Sequence, residues 1–94
     1  MKLVLTSLAA AELEEILTFL RAQSPRGAAN VEVRFEKIFR MISEHPFGSQ
    51  QVEKRPGVRR APLVDYPYVI YYRLREDRVE VLRIRHGARR PLET

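Results

Sequence analysis

The chain has 94 residues and no cysteine, which is room for one modest domain and excludes disulfides, thiolate metal sites and thiol nucleophiles. With 45% hydrophobic and 31% charged residues it reads as a folded, soluble chain of a reducing cytoplasm. The opening apolar stretch Leu3-Val4-Leu5 is far too short for a signal peptide, and no run approaches a membrane span. The formal charge of +5 is lopsided. Residues 1–52 carry six basic and six acidic side chains, residues 53–94 eleven and six, so the whole excess lies in the second half. Fourteen of the seventeen basic residues are Arg, whose planar fork suits carboxylate or phosphate. This balance points to an acidic partner, either nucleic acid or an acidic protein segment.

In chain order, Lys2–Leu5 is predicted as a short strand. Ser7 then caps a helix whose apolar residues Leu13, Ile16, Leu17 and Leu20 recur at helical spacing. Glu12, Glu14 and Glu15 fall early in it, complement its dipole and read as an exposed acidic face. Ser24-Pro25 ends this helix. A second begins at about Gly27, with Ala28, Val31, Phe35, Ile38, Phe39 and Ile42 on one stripe, and stops at His45-Pro46-Phe47-Gly48, with His45 as its C-terminal residue. Gly48–Gly57 reads as a loop. Val58–Val64 is a strand in which Pro62 implies an edge or a bulge. Asp65-Tyr66-Pro67 is a turn, and Tyr68–Arg75, Glu76-Asp77 and Arg78–His86 form a β-hairpin. The order β-α-α-β-β-β implies a single α+β domain over residues 1–94. A helical hairpin packs on one face of a small, mainly antiparallel four-stranded sheet.

Alternation divides the hairpin residues between two faces. Ile70, Tyr72 and Leu74, with Leu82, Ile84 and His86, are expected against the helices. The opposite face is expected to carry Val69, Tyr71, Arg73 and Arg75, with Val79, Val81, Arg83 and Arg85. Four arginines on one face are a candidate partner surface; the plainer reading is solvated charge balanced by Glu80 or Asp77. Tyr71 is placed either to stack on a base or to pack against a partner helix, and Tyr72 to fill the core. Arg59 and Arg60, at the opening of the sheet, pair with Glu53 or join the binding surface, while Arg89 and Arg90 in the tail either join that surface or form a solvated end. His86 has the titration range of a general acid or base, but its alternation favours a structural histidine facing the helices. Two distant histidines without cysteine make no metal motif, and no Gly-rich phosphate loop is present, so no cofactor is expected.

Several runs, taken in order, resemble the RelE/ParE superfamily of bacterial toxins, the toxin halves of type II toxin–antitoxin pairs. They are Ala11-Glu12-Leu13-Glu14-Glu15-Ile16, Gly57-Val58-Arg59, Tyr66-Pro67-Tyr68-Val69-Ile70-Tyr71-Tyr72-Arg73, Glu76 to Ile84, and His86-Gly87-Ala88-Arg89-Arg90-Pro91. The resemblance covers nearly the whole chain and implies a cytoplasmic toxin neutralised by a cognate antitoxin in an oligomeric complex. It implies one of two targets. ParE-type members inhibit DNA gyrase; RelE-type members are ribosome-dependent endonucleases that cut messenger RNA. The nuclease chemistry needs a base, a stabiliser of the phosphorane charge and an acid. Its two lysine positions fall on Arg60 and Pro62, its central-strand arginine on Val69, and only its late arginine is matched, at Arg89. Arg60, His86 and Arg89 are then the remaining nuclease candidates, and Arg is a poor base because it stays protonated. The tail and the Tyr66-Pro67-Tyr68 turn are closer to the ParE type, which makes gyrase the expected target. A non-toxic member that only binds its partner is the further alternative. The expected antitoxin segment folds on binding to Val69, Tyr71, Val79 and Val81 beside the arginines.

Overall fold

The computed structural model describes residues 1–87 of the chain. Seven elements follow one another: β1 (Lys2–Leu5), α1 (Ser7–Gln23), α2 (Pro25–Glu44), β2 (Gln50–Gln51), β3 (Val58–Pro62), β4 (Tyr68–Leu74) and β5 (Arg78–His86). The helix ends obey capping chemistry, with one correction. The cap of α1 is Thr6, whose hydroxyl accepts from the Ala9 N–H at 3.1 Å; Ser7, expected as the cap, is the first helical residue. The sheet decides this. The Thr6 N–H donates to the Val81 carbonyl, so Thr6 is held extended and the helix starts one residue later. Ser24 serves both helices: its N–H donates to the Leu20 carbonyl and its hydroxyl accepts from the Gly27 N–H at 3.0 Å. Proline is favoured in a first helical turn, so α2 begins at Pro25 rather than at Gly27. None of the three early glutamates lies in the first turn of α1.

The sheet has five strands in the order β1-β5-β4-β3-β2, not the expected four. It is mixed: β1 runs parallel to β5, and the other three pairings are antiparallel. The additional strand is β2, within the segment read as a loop, where Gln50 and Gln51 pair with Arg60 and Arg59. The Val52 N–H closes the connection on the Val58 carbonyl at 2.8 Å, and Gly57, at φ +81°, turns the chain into β3. Pro62 ends β3, two residues before the expected Val64. The Leu63 N–H points to the Tyr68 carbonyl, so the Pro62 nitrogen faces the other way, where β2 has already stopped and no donor is missed.

Both helical stripes pack on one side of this sheet as their spacing requires, with Leu17, Val31, Phe35 and Ile42 buried and Phe39 half-buried. A β-bulge corrects the expected faces of β5. Tyr71 pairs with Arg83 but Tyr72 pairs with Val81, which leaves Leu82 as an extra residue. The extra residue reverses the alternation below it. Val79 and Val81 therefore lie in the helix-packed core, both 0% exposed, whereas Leu82 packs on the opposite side. Ile84, above the bulge, keeps its predicted place in the core.

Candidate functional site

The sheet surface opposite the helices, the outer face, collects most of the candidate residues. Across β3, β4 and β5 its rows are Val58–Arg73–Glu80, Arg60–Tyr71–Arg83 and Pro62–Val69–Arg85. Beneath the charges lies a second apolar cluster of Val52, Val58, Val69 and Tyr71, with Leu82 against it. Tyr71 is only 2% exposed and Val69 7%, so neither is the open contact that alternation alone implies. Both instead belong to this second cluster, with arginines of the flanking strands paired beside them, Arg60 and Arg83 beside Tyr71 and Arg85 beside Val69.

The arginines divide by what they hold. Glu80 is a hub, accepting from Arg73 Nε at 2.9 Å, Arg75 Nε at 3.2 Å and Arg78 Nη2 at 3.1 Å. The hydrogen bond from Arg73, followed by those from Arg78 and Arg75, holds the Glu80 carboxyl below the usual carboxylate range. Arg78 also grips Asp77 at 2.8 Å, and its bonds to Glu80 and Asp77 raise its own pKa. The balancing of Arg73 and Arg75 by Glu80 was legible from cross-strand position; Asp77 holds none of the four expected arginines and pairs instead with Arg78, which was missed. Its signal is the i, i+2 spacing that sets Arg78 and Glu80 on one face of β5.

Arg83 is committed elsewhere. Its Nε and Nη2 donate to both Glu12 oxygens, the shortest contact being 2.8 Å, and this bond raises the guanidinium pKa further. Glu12 is therefore part of the sheet and not of an exposed acidic face; its Oε1 also accepts the Ile84 N–H at 2.9 Å. Its signal in the sequence is its place beside Leu13, at the border of the buried stripe. Arg59 does not pair with Glu53. It faces the helix side, donates to the Ser49 carbonyl at 2.7 Å and the Phe47 carbonyl at 3.3 Å, and lies over the Phe47 ring.

Arg60 and Arg85 remain. Each has a buried Nε without a hydrogen-bond partner among the described residues, and neither makes an ion pair there. A buried donor left unmade costs about 1–3 kcal/mol, so these two groups are the least satisfied on the face. His86 pairs with Tyr68 across β4 and β5 and meets its ring edge-on, at 5.6 Å between centroids. It lies on the helix side, and burial raises the Tyr68 hydroxyl pKa. The sheet thus separates His86 from Arg60, so two of the three nuclease candidates do not share a site. The third, Arg89, lies with Arg90 outside the described residues. Among the described residues no group of three or more His, Asp or Glu is placed to hold a metal ion, and no helix is long and apolar enough to cross a membrane.

Comparison with known proteins agrees with this architecture. Residues 3–91 match the family model described as the ParE toxin of the type II toxin–antitoxin system parDE. The Sinorhizobium fredii protein Y4kP, which carries a toxin name, is 33% identical over 79 residues, covering 80% of this chain and 76% of its own. A solved structure titled as the chromosomal ParDE toxin–antitoxin system of P. aeruginosa superposes with a TM-score of 0.78. It is 24% identical and covers 92% of this chain and 95% of its own, a likeness of fold.

Proposed function

Because the chain belongs to the ParE toxin family of type II toxin–antitoxin systems, we propose that it arrests growth by binding DNA gyrase and that a cognate antitoxin holds it inactive. The solved relative is titled as a ParDE system, which supports an antitoxin partner and a toxin–antitoxin complex for this chain. Both partners belong to the cytoplasm. One observation favours gyrase over messenger RNA as the target: the outer face offers guanidiniums and a buried tyrosine where RNA cleavage needs a proton acceptor. The guanidiniums of Arg60 and Arg85 donate hydrogen bonds and accept none. Glu80 is held as an acceptor by three arginines, and His86 is on the other side of the sheet. Charge-holding without proton transfer suits a binding inhibitor. Arg89 and Arg90, which follow β5 in the chain, are further proposed target contacts.

The test uses purified chain in two assays. Supercoiling of relaxed plasmid by gyrase should be blocked, and ribosome-bound messenger should stay intact. Messenger cleavage with unaffected supercoiling would replace gyrase with the endonuclease reading, and inactivity in both with retained antitoxin binding would leave a non-toxic partner-binding member. Arg89→Ala/Arg90→Ala should lower gyrase inhibition with little change in melting temperature.

A further inference from the structure

Of the charged side chains that share the outer face, Arg73, Arg75 and Arg78 are spent on Glu80, and Arg83 on Glu12. Arg60 and Arg85 hold nothing among the described residues, yet both bury their Nε. They flank the same strand diagonally, Arg60 beside Tyr71 and Arg85 beside Val69. Two strand spacings and two residues separate them, about 12 Å between Cα atoms. Between them lies the second apolar cluster, almost closed to solvent. An arginine beside an apolar cluster with its Nε buried and unbonded has a better arrangement available wherever an anion is offered outside.

We propose that Arg60 and Arg85 form a paired cover over Tyr71 and Val69, which an acidic peptide segment opens. Its carboxylates draw both guanidiniums off the sheet, and an apolar side chain between those carboxylates takes the vacated place on the cluster. Acidic residues a helical turn apart, flanking one leucine or valine, match this geometry. The inference rests on the antitoxin reading for the identity of the partner and deepens it, naming two of the candidate arginines as anchors and setting Arg73, Arg75 and Arg83 aside as internal.

Nucleic acid fits less well. Single strands bind on exposed aromatic faces, and the aromatic ring of this cluster is 2% exposed. Two uncommitted guanidiniums would give a log–log salt slope of only about −1.4, too shallow for a phosphate-tracking groove.

Two titrations followed by NMR of the arginine Nε–H signals test this, with Arg60→Lys and Arg85→Lys supplying the assignments. The first probe is a synthetic peptide of Glu, Leu and Ala with glutamates a helical turn apart around leucine. The second is the purified product of the reading frame adjoining this gene. Both probes should shift the Arg60 and Arg85 signals, while a lysine-for-glutamate peptide should shift neither. Arg60→Gln/Arg85→Gln should bind the adjoining protein at least about 30-fold more weakly, with a melting temperature equal to or above that of the wild type. If that variant folds poorly, Arg60→Lys/Arg85→Lys keeps stem and charge and should still bind at least about tenfold more weakly. An adjoining protein that binds without moving either signal, or binds the double variants as wild type, overturns the cover and leaves the antitoxin reading intact. Peptide shifts with no binding of the adjoining protein support the cover and fail the antitoxin reading. A thymidine oligomer that moves both signals where the acidic peptide moves neither would assign the pair to nucleic acid and overturn the proposal.

Discussion

The Glu12 carboxylate finishes an edge that β1 leaves open. Strand β1 pairs with β5 only as far as Val81. Beyond it, the Thr6 hydroxyl donates to the Leu82 carbonyl, and Glu12 Oε1 accepts the Ile84 N–H while both its oxygens hold Arg83. The start of α1 thus supplies by side chain the bonds that another strand residue would supply by backbone. At 18% exposure for Glu12 and 29% for Arg83, the pair is only partly screened by water.

This relationship ranks three substitutions. Glu12→Ala strands the Ile84 N–H and leaves Arg83 unpaired, and should cost about 2–3 kcal/mol in denaturant unfolding. Glu12→Gln keeps an oxygen for Ile84, and Arg83→Ala leaves Glu12 on the same amide; each should cost about 1 kcal/mol. Arg83→Ala costing more than Glu12→Ala would show that the amide bond contributes nothing.

Glu80 predicts an acid limb in the stability curve. Its folded pKa lies below the unfolded value of about 4.3. Its stabilising contribution is therefore fully present above that value and disappears as pH falls through the folded pKa. Melting temperature should drop as the solution is taken below about pH 4.3. Glu80→Gln should lower it at neutral pH and flatten the acid dependence. A variant curve that runs parallel to the wild type would remove Glu80 from the titration.

What the sequence made legible was whatever depends on neighbours a few residues apart. The stripes through Leu17 and Phe35, the Ser24-Pro25 joint and the Tyr68–His86 hairpin all come from local period and turn chemistry. The outer face was legible only in composition. Strict alternation carried past the bulge at Leu82 exchanges Val79 and Val81 for Leu82, and nothing in the chain marks the phase change. Strand β2 has two glutamines and so no apolar period to read. Glu12 and Arg83 lie 71 residues apart, a distance no local window spans. Arg73, Arg75, Arg83 and Arg85 read as one patch; which of them are already committed depends on partners brought together only by the fold.

Tyr72 and Arg59, paired across β3 and β4, hold the chain between α2 and β2 from below. The Tyr72 hydroxyl donates to the Pro46 carbonyl at 2.8 Å, and Arg59 binds the carbonyls of Phe47 and Ser49. Tyr72→Phe keeps the core volume and removes only the hydrogen bond, so it should cost about 1–2 kcal/mol. Amide exchange should speed up at residues 47–51 in Tyr72→Phe and in Arg59→Ala, with the α1 amides unchanged. Exchange that rises uniformly along the chain would mean that this segment opens only with the whole fold.

The bulge gives a ranking that distinguishes the observed faces of β5 from strict alternation. Val81 is 0% exposed in the main core, and Val81→Ala removes two methyl groups there without room for collapse. It should cost about 2 kcal/mol, or roughly 8–16 °C in melting temperature for a domain of this size. Leu82 is only half-buried, against the smaller outer cluster, so Leu82→Ala should cost about 1 kcal/mol although it deletes more carbon. Under unbroken alternation Leu82 would sit in the core and Val81 outside, and the order would reverse. Deleting Leu82 tests the same point more severely. It would remove the bulge while keeping Val79, Val81 and Ile84 on the helix side and Glu80 and Arg83 on the outer face, so the shortened chain should still fold with a modest loss in melting temperature. A deletion variant that fails to fold would show that the pairing of β5 runs in unbroken alternation through Leu82.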